Sequence, residues 1–108
     1  MIGMLINGRQ NGEAACYVFR NLTNSDDILV ADAGSGSSAM GEKKSLANKQ
    51  CELLKEGTTS TSDASGVTAT FHIRFKSGFA GPKHVWVAPT DAAGNGPELK
   101  QAGDWTVL

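Results

Sequence analysis

The chain has 108 residues, room for one domain of ordinary size and no second core. Ten Lys and Arg against eleven Asp and Glu, a formal net charge of -1, give no electrostatic footprint for a phosphate backbone or an anionic membrane, so neither nucleic acid nor a membrane surface is an expected partner. Thirteen glycines and three prolines among many Thr, Ser and Val, with Lys, Glu and Leu sparse, exclude a helical bundle and point to short strands joined by turns.

The start, "MIGMLINGRQ", lacks the basic head, apolar middle and small-residue cleavage site of a signal peptide; for an exported parent it reads as a mature portion or a fragment with an added Met1. No apolar run approaches the roughly 18 to 20 residues of a membrane span. The short apolar segments "GMLIN", "AACYVF" and "DILVAD" read as three strands separated by the turn-rich "GRQNGE" and "RNLTNSD". "DAGSGSSAMG" has no apolar periodicity and reads as a mobile loop. "EKKSLANKQCELL" could hold one helical turn, but its apolar end with Cys51, Leu53 and Leu54 suits a strand. "KEGTTSTSDASG" reads as a polar loop.

The clearest element is "VTATFHIRFK", where Val67, Ala69, Phe71, Ile73 and Phe75 alternate with Thr68, Thr70, His72, Arg74 and Lys76, the pattern of a half-buried strand. "GFAGPK" is a turn, and "HVWVAPTD" a strand with Val85 and Val87 on one face; Pro89 removes an amide donor and puts that end at an edge or a bulge. "DAAGNG" supplies the next turn through Gly94 and Asn95, and "DWTVL" the last strand, with Trp105 a core residue. Strands roughly 8 to 12 residues apart predict an all-β antiparallel sandwich of six to seven strands, one domain over 1–108.

Cys16 falls within one predicted strand and Cys51 at the start of another, both in apolar surroundings, so a staple between strands is the natural reading. With His72 and His84 far along the chain there is no zinc-site spacing, and neither cysteine has a neighbouring base or helix start to lower its thiol pKa. Two free buried thiols of a cytosolic protein are the alternative. A staple closing about 36 residues is worth ~4 kcal/mol by chain entropy and implies an oxidising compartment.

The segments "ACYVF", "ADAG", "KQCEL", "VTATFHIRFKSGFAGPKHVWVAPTDAAGN" and "GDWTVL", in that order and spacing, resemble an immunoglobulin-like β-sandwich module repeated in secreted and surface multidomain bacterial proteins. The resemblance runs from about Asn7 onward and is most specific in "FKSGFAGPKHVWV". It implies a non-catalytic, extracellular or cell-surface module whose two cysteines are paired. The chain departs from it in lacking a Trp soon after "DAAGN" and in lacking the usual N-terminal strands.

The sequence offers little catalytic chemistry. Ser35, Ser37 and Ser38 stand in neither a nucleophile elbow nor a phosphate-binding loop, and read as linker. His72 and His84 read as surface residues rather than general bases. The scattered aspartates make no calcium loop, although Asp32 or Asp91 could hold a calcium ion between loops. Asn21-Leu22-Thr23 is a formal glycosylation sequon. No catalytic residue, metal site or cofactor is expected. Trp86 lies on the face opposite Val85 and Val87; with the valines in the core, the indole stands exposed beside His84, a candidate platform for a sugar or a protein contact.

The leading expectation is a structural or spacer module that contacts neighbouring domains or protein partners. The alternative is a small carbohydrate- or protein-binding module using the face around His84 and Trp86. Without earlier strands, residues 2 to 7 would present an open sheet edge, favouring a homo-oligomer through the N-terminal strand; alternatively the segment 33 to 50 folds back and covers the gap.

Overall fold

A computed structural model describes residues 2–8, 14–22, 24–32, 34, 36–63, 66–89 and 100–107, with the backbone alone at 62, 63, 66, 67, 88, 89 and at 100–107 other than Gly103. The described residues form nine strands: β1 (Ile2–Asn7), β2 (Cys16–Arg20), β3 (Asp27–Val30), β4 (Ser37–Ala39), β5 (Ser45–Ala47), β6 (Cys51–Asp63), β7 (Gly66–Phe75), β8 (Gly81–Pro89) and β9 (Lys100–Val107). All pair antiparallel, in a six-stranded sheet of order β4-β3-β2-β1-β8-β9 and a three-stranded sheet of order β5-β6-β7. This is the all-β sandwich that the alternation predicts.

The core lies between the sheets. From the large sheet Ile6, Cys16, Val18 and Leu29 point inward; Cys51 and Leu53 of β6 meet them, with Phe71 and Ile73 of β7 packed at the margin. A 3-10 turn, Ser77–Phe79, links β7 to β8 and inserts Phe79 into the same cluster. Each fully buried aliphatic or aromatic side chain contributes about 1.5 to 3 kcal/mol, so this cluster is the main source of stability.

The strand count exceeds the expected six to seven through two short strands, β4 and β5, and β6 runs on through a segment read as a loop. Within "DAGSGSSAMG", Ser37–Ala39 add a short edge to β3, and Met40, 1% exposed, drops into the core. Its amide donates to the Asp27 carbonyl at 2.7 Å, which pins the return. "KEGTTSTSDASG" is no loop either: β6 continues through it to Asp63 and pairs with β7 as far as Gly66. Its threonines favour extended backbone, and since the ribbon buries little, its polar composition concealed it from hydrophobic periodicity.

The β6–β7 pairing carries an irregularity that matters for the core. Four residues, 55 to 58, stand opposite the single Phe71, so three extra residues enter β6 between Leu54 and Thr59. An odd insertion reverses which side chains face inward. Leu53 points into the core before it, and Ser60 reaches the interior after it.

The expected open edge at residues 2 to 7 is corrected. β1 lies in the middle of the large sheet, hydrogen-bonded to β2 on one side and to β8 on the other, with Leu5 and Ile6 fully buried. Its amides and carbonyls are occupied on both sides, so no strand can add there. The near-continuous apolar run of "IGMLIN" fits this position, a strand covered on both faces. The segment from 33 to 50 does not close this edge either: it supplies β4 beside β3, Met40, and β5 beside β6 with Leu46 in the core. Pro89 ends β8 opposite Ile2, two residues beyond the last β9 pairing at Val87, and the β8–β9 pairing is irregular between Val85 and Trp86, where β9 carries one extra residue.

Candidate functional site

Cys16 and Cys51 form a disulfide with their Cα atoms 5.8 Å apart, joining β2 of the large sheet to the start of β6 in the small one. Both are fully buried in the main core. Around the bridge the packing is organised by Asn48, a residue without a signal in the sequence reading. Its Nδ2 donates to the carbonyls of Ala15 at 3.0 Å and Val30 at 3.2 Å; its Oδ1 accepts from the amides of Gln50 and Cys51, both at 2.9 Å. One side chain thus holds the residue before Cys16 and the amide of Cys51 in fixed relation.

A buried ion pair forms a second link. Arg20 and Asp27 are direct cross-strand partners on β2 and β3, and one guanidinium nitrogen lies 2.9 Å from each carboxylate oxygen. Arg20 Nε donates to Ser60 Oγ at 3.1 Å, tying the large sheet to β6 beyond its irregularity. Burial pushes the Asp27 carboxyl above the ordinary aspartate value, against the opposing pull of Arg20. Each of the two buried charges is matched by the other.

The proposed binding residues His84 and Trp86 lie on the outer face of the large sheet. They are not arranged as expected. Trp86 does alternate with Val85, which packs on the main core, but the indole is 8% exposed whereas Val87 is 37% exposed. Trp86 belongs to a second small core with Leu5 and Ala15, against which Tyr17 packs. The cause is the register. Leu5 stands opposite Trp86 on β8 and opposite Tyr17 on β2, so two large rings flank one aliphatic side chain; Leu5 and Trp86 are buried and Tyr17 is half-buried. Alternation identifies opposite faces; it does not tell that both are covered. The exposed indole is therefore corrected to a buried one.

Among the described residues, His84 and part of the Tyr17–Phe19 pair are accessible on this face. His84 is exposed and meets Trp86 edge to face, ring centroids 5.6 Å apart. Tyr17 and Phe19 are half-buried, with centroids 4.7 Å apart. Phe19 lies over Gly3: a Cβ on Gly3 would stand 2.5 Å from the ring, a contact that no packed side chain tolerates. Burial raises the Tyr17 phenol above its ordinary value, which keeps it a protonated hydrogen-bond donor through the neutral range.

The other candidates are dispersed. His72 is exposed on the polar side of β7, as the alternation predicts, with its Nδ1 2.6 Å from the Glu56 carbonyl; that contact makes Nδ1 the protonated nitrogen. Asp32 Oδ1 accepts from the Lys49 amide at 2.9 Å, a loop clamp. Ser37 and Ser38 lie in β4. Ser35, Thr23 of the sequon, Asp91, Gly94 and Asn95 lie outside the described residues, as does the side chain of Trp105. Among the described residues no three His, Cys, Asp or Glu side chains converge on a point that could hold a metal ion, and no helix is long and apolar enough to cross a membrane. The chain is a small disulfide-stapled all-β protein; set against protein-family models, curated proteins and solved structures, it matches none.

Proposed function

We propose that this chain is a non-catalytic structural or spacer module of an extracellular bacterial protein. The observation that carries the reading is the Cys16–Cys51 bridge, which joins the two sheets through the centre of the core. Such a bond persists in oxidising surroundings and adds stability to a domain too small for a large core. The resemblance to repeated immunoglobulin-like surface modules supports the same reading, with neighbouring domains as its contacts. The test is to produce the chain in an oxidising and in a reducing compartment of one bacterium and compare protease resistance. The expected result is a resistant, oxidised protein in the first and a readily degraded one in the second; equal resistance removes the ground for an extracellular role.

A second reading, a carbohydrate- or protein-binding module, is favoured by the half-buried Tyr17–Phe19 pair and by the exposed His84, which meets Trp86 of the cluster that Tyr17 joins. A half-buried apolar ring beside one with a polar hydroxyl suits a sugar face or a protein contact. Because Trp86 packs in the cluster that Tyr17 joins, its fluorescence reports binding there, and titration with a glycan panel distinguishes the two readings.

A further inference from the structure

Sheet edges in proteins are normally short, bulged or covered, because an open edge pairs with other chains. Among the described residues β4 and β5 follow this rule with three residues each. β7 does not. It is a ten-residue strand at the end of the small sheet, paired among the described residues with β6 alone, and the extra residues of that pairing lie on β6.

The direction of its backbone groups follows from two hydrogen bonds. The amides of His72 and Lys76 point toward β6, the first to Thr58 Oγ1 and the second to the Gln50 carbonyl. Backbone groups alternate sides along an antiparallel strand, so those of Ala69, Phe71 and Ile73 point outward along the edge. The side chains of the same three residues are half-buried, facing the core, and the exposed set is Thr68, Thr70, His72 and Arg74. Moreover β6 faces β2 and β5 faces β3, so the small sheet stops at β7 while the large one continues through β8 and β9. A strand added to β7 would lie over a stretch of the large sheet that no described strand of the small sheet faces.

We propose that two copies of this chain associate through their β7 edges, antiparallel about a two-fold axis at Phe71, joining two three-stranded sheets into one of six strands. The sequence of β7 is self-complementary in that register. Phe71 stands opposite Phe71 of the second copy, Ile73 opposite Ala69, and all of them keep their core-facing side. On the outer side Arg74 meets Thr68 and His72 meets Thr70, so no like charges oppose. Shifting the axis to Ile73 sets Arg74 against His72 and shortens the overlap, which selects the register at Phe71. This contact replaces the N-terminal strand as the route to an oligomer.

The test is sedimentation of the intact chain over a wide concentration range, with two substitutions at the exposed Thr68. Thr68→Arg places a cation opposite Arg74 in both symmetry-related pairs and is expected to weaken association by about fivefold. Thr68→Glu is expected to tighten it by a similar factor. Amide hydrogen exchange at Ala69, Phe71 and Ile73 should slow as concentration rises in the unaltered chain. A protein that stays monomeric throughout, or a dimer indifferent to both substitutions whose β7 amides gain no protection, would overturn the proposal.

Discussion

The Thr58 hydroxyl stands where a backbone carbonyl would otherwise stand, accepting the His72 amide at 3.0 Å while donating to the Leu54 carbonyl at 2.6 Å. The pairing of β6 and β7 is interrupted here, and this buried side chain carries the hydrogen bonding across the gap. Removing the oxygen leaves a part-buried amide and carbonyl without their partner, the costly half of a lost hydrogen bond. Thr58→Val is therefore expected to destabilise the protein by about 1 to 3 kcal/mol, whereas Thr58→Ser keeps most of the stability; urea unfolding of the two variants checks the contrast.

The disulfide closes a loop with a sequence separation of 35 residues, for which chain entropy gives a stabilisation of ~4 kcal/mol. Replacing both cysteines by Ala should lower the melting temperature steeply, since each kcal/mol is worth about 4 to 8 °C in a domain of this size. Intact mass should rise by two hydrogens on reduction. A mass unchanged by reductant, or two thiols alkylated in the unfolded, unreduced protein, would contradict the bridge.

Asp27 and Arg20 make a pair that is stable only as a pair. Asp27→Ala strands the guanidinium in the interior and is expected to cost about 3 to 5 kcal/mol, measured by chemical denaturation at neutral pH. The pH dependence runs in the direction set by burial. Because the folded-state pKa of Asp27 is raised, the native state holds its proton more tightly than the unfolded chain. The stability contributed by that proton is full below the unfolded value and is lost as pH rises through the folded one. The stability of the unaltered protein relative to Asp27→Asn should therefore rise as pH falls from neutrality into the carboxylate range.

Asn48 makes four hydrogen bonds from one side chain, to Ala15, Val30, Gln50 and Cys51. Asn48→Ala removes all of them beside the disulfide, at a cost of about 2 to 4 kcal/mol when each bond is worth roughly 1. Asn48→Asp keeps the two acceptor bonds but turns a carboxylate oxygen toward the Ala15 and Val30 carbonyls, so its loss should equal or exceed that of Asn48→Ala. Thermal melts of the three proteins side by side give the order.

What the sequence determined by itself was the class of fold and its hydrophobic grammar. Period-two alternation over residues 67 to 76 was enough for β7, and two cysteines in apolar strand contexts were enough to suggest a staple, because burial on one face of a strand is written in local order. Tertiary structure decided the rest. Whether Trp86 is exposed depends on Leu5 and Tyr17, distant in the chain, standing in register beside it. Whether residues 2 to 7 form an edge depends on β8, more than seventy residues later in the chain, closing their second side. The polar ribbon from 55 to 66, the three extra residues of β6, and the roles of Asn48, Arg20 and Thr58 are likewise set by partners far along the chain. Hydrogen-bond satisfaction and the cover of a second sheet face are properties of assembled strands, and neither leaves a periodic trace in the residues that depend on it.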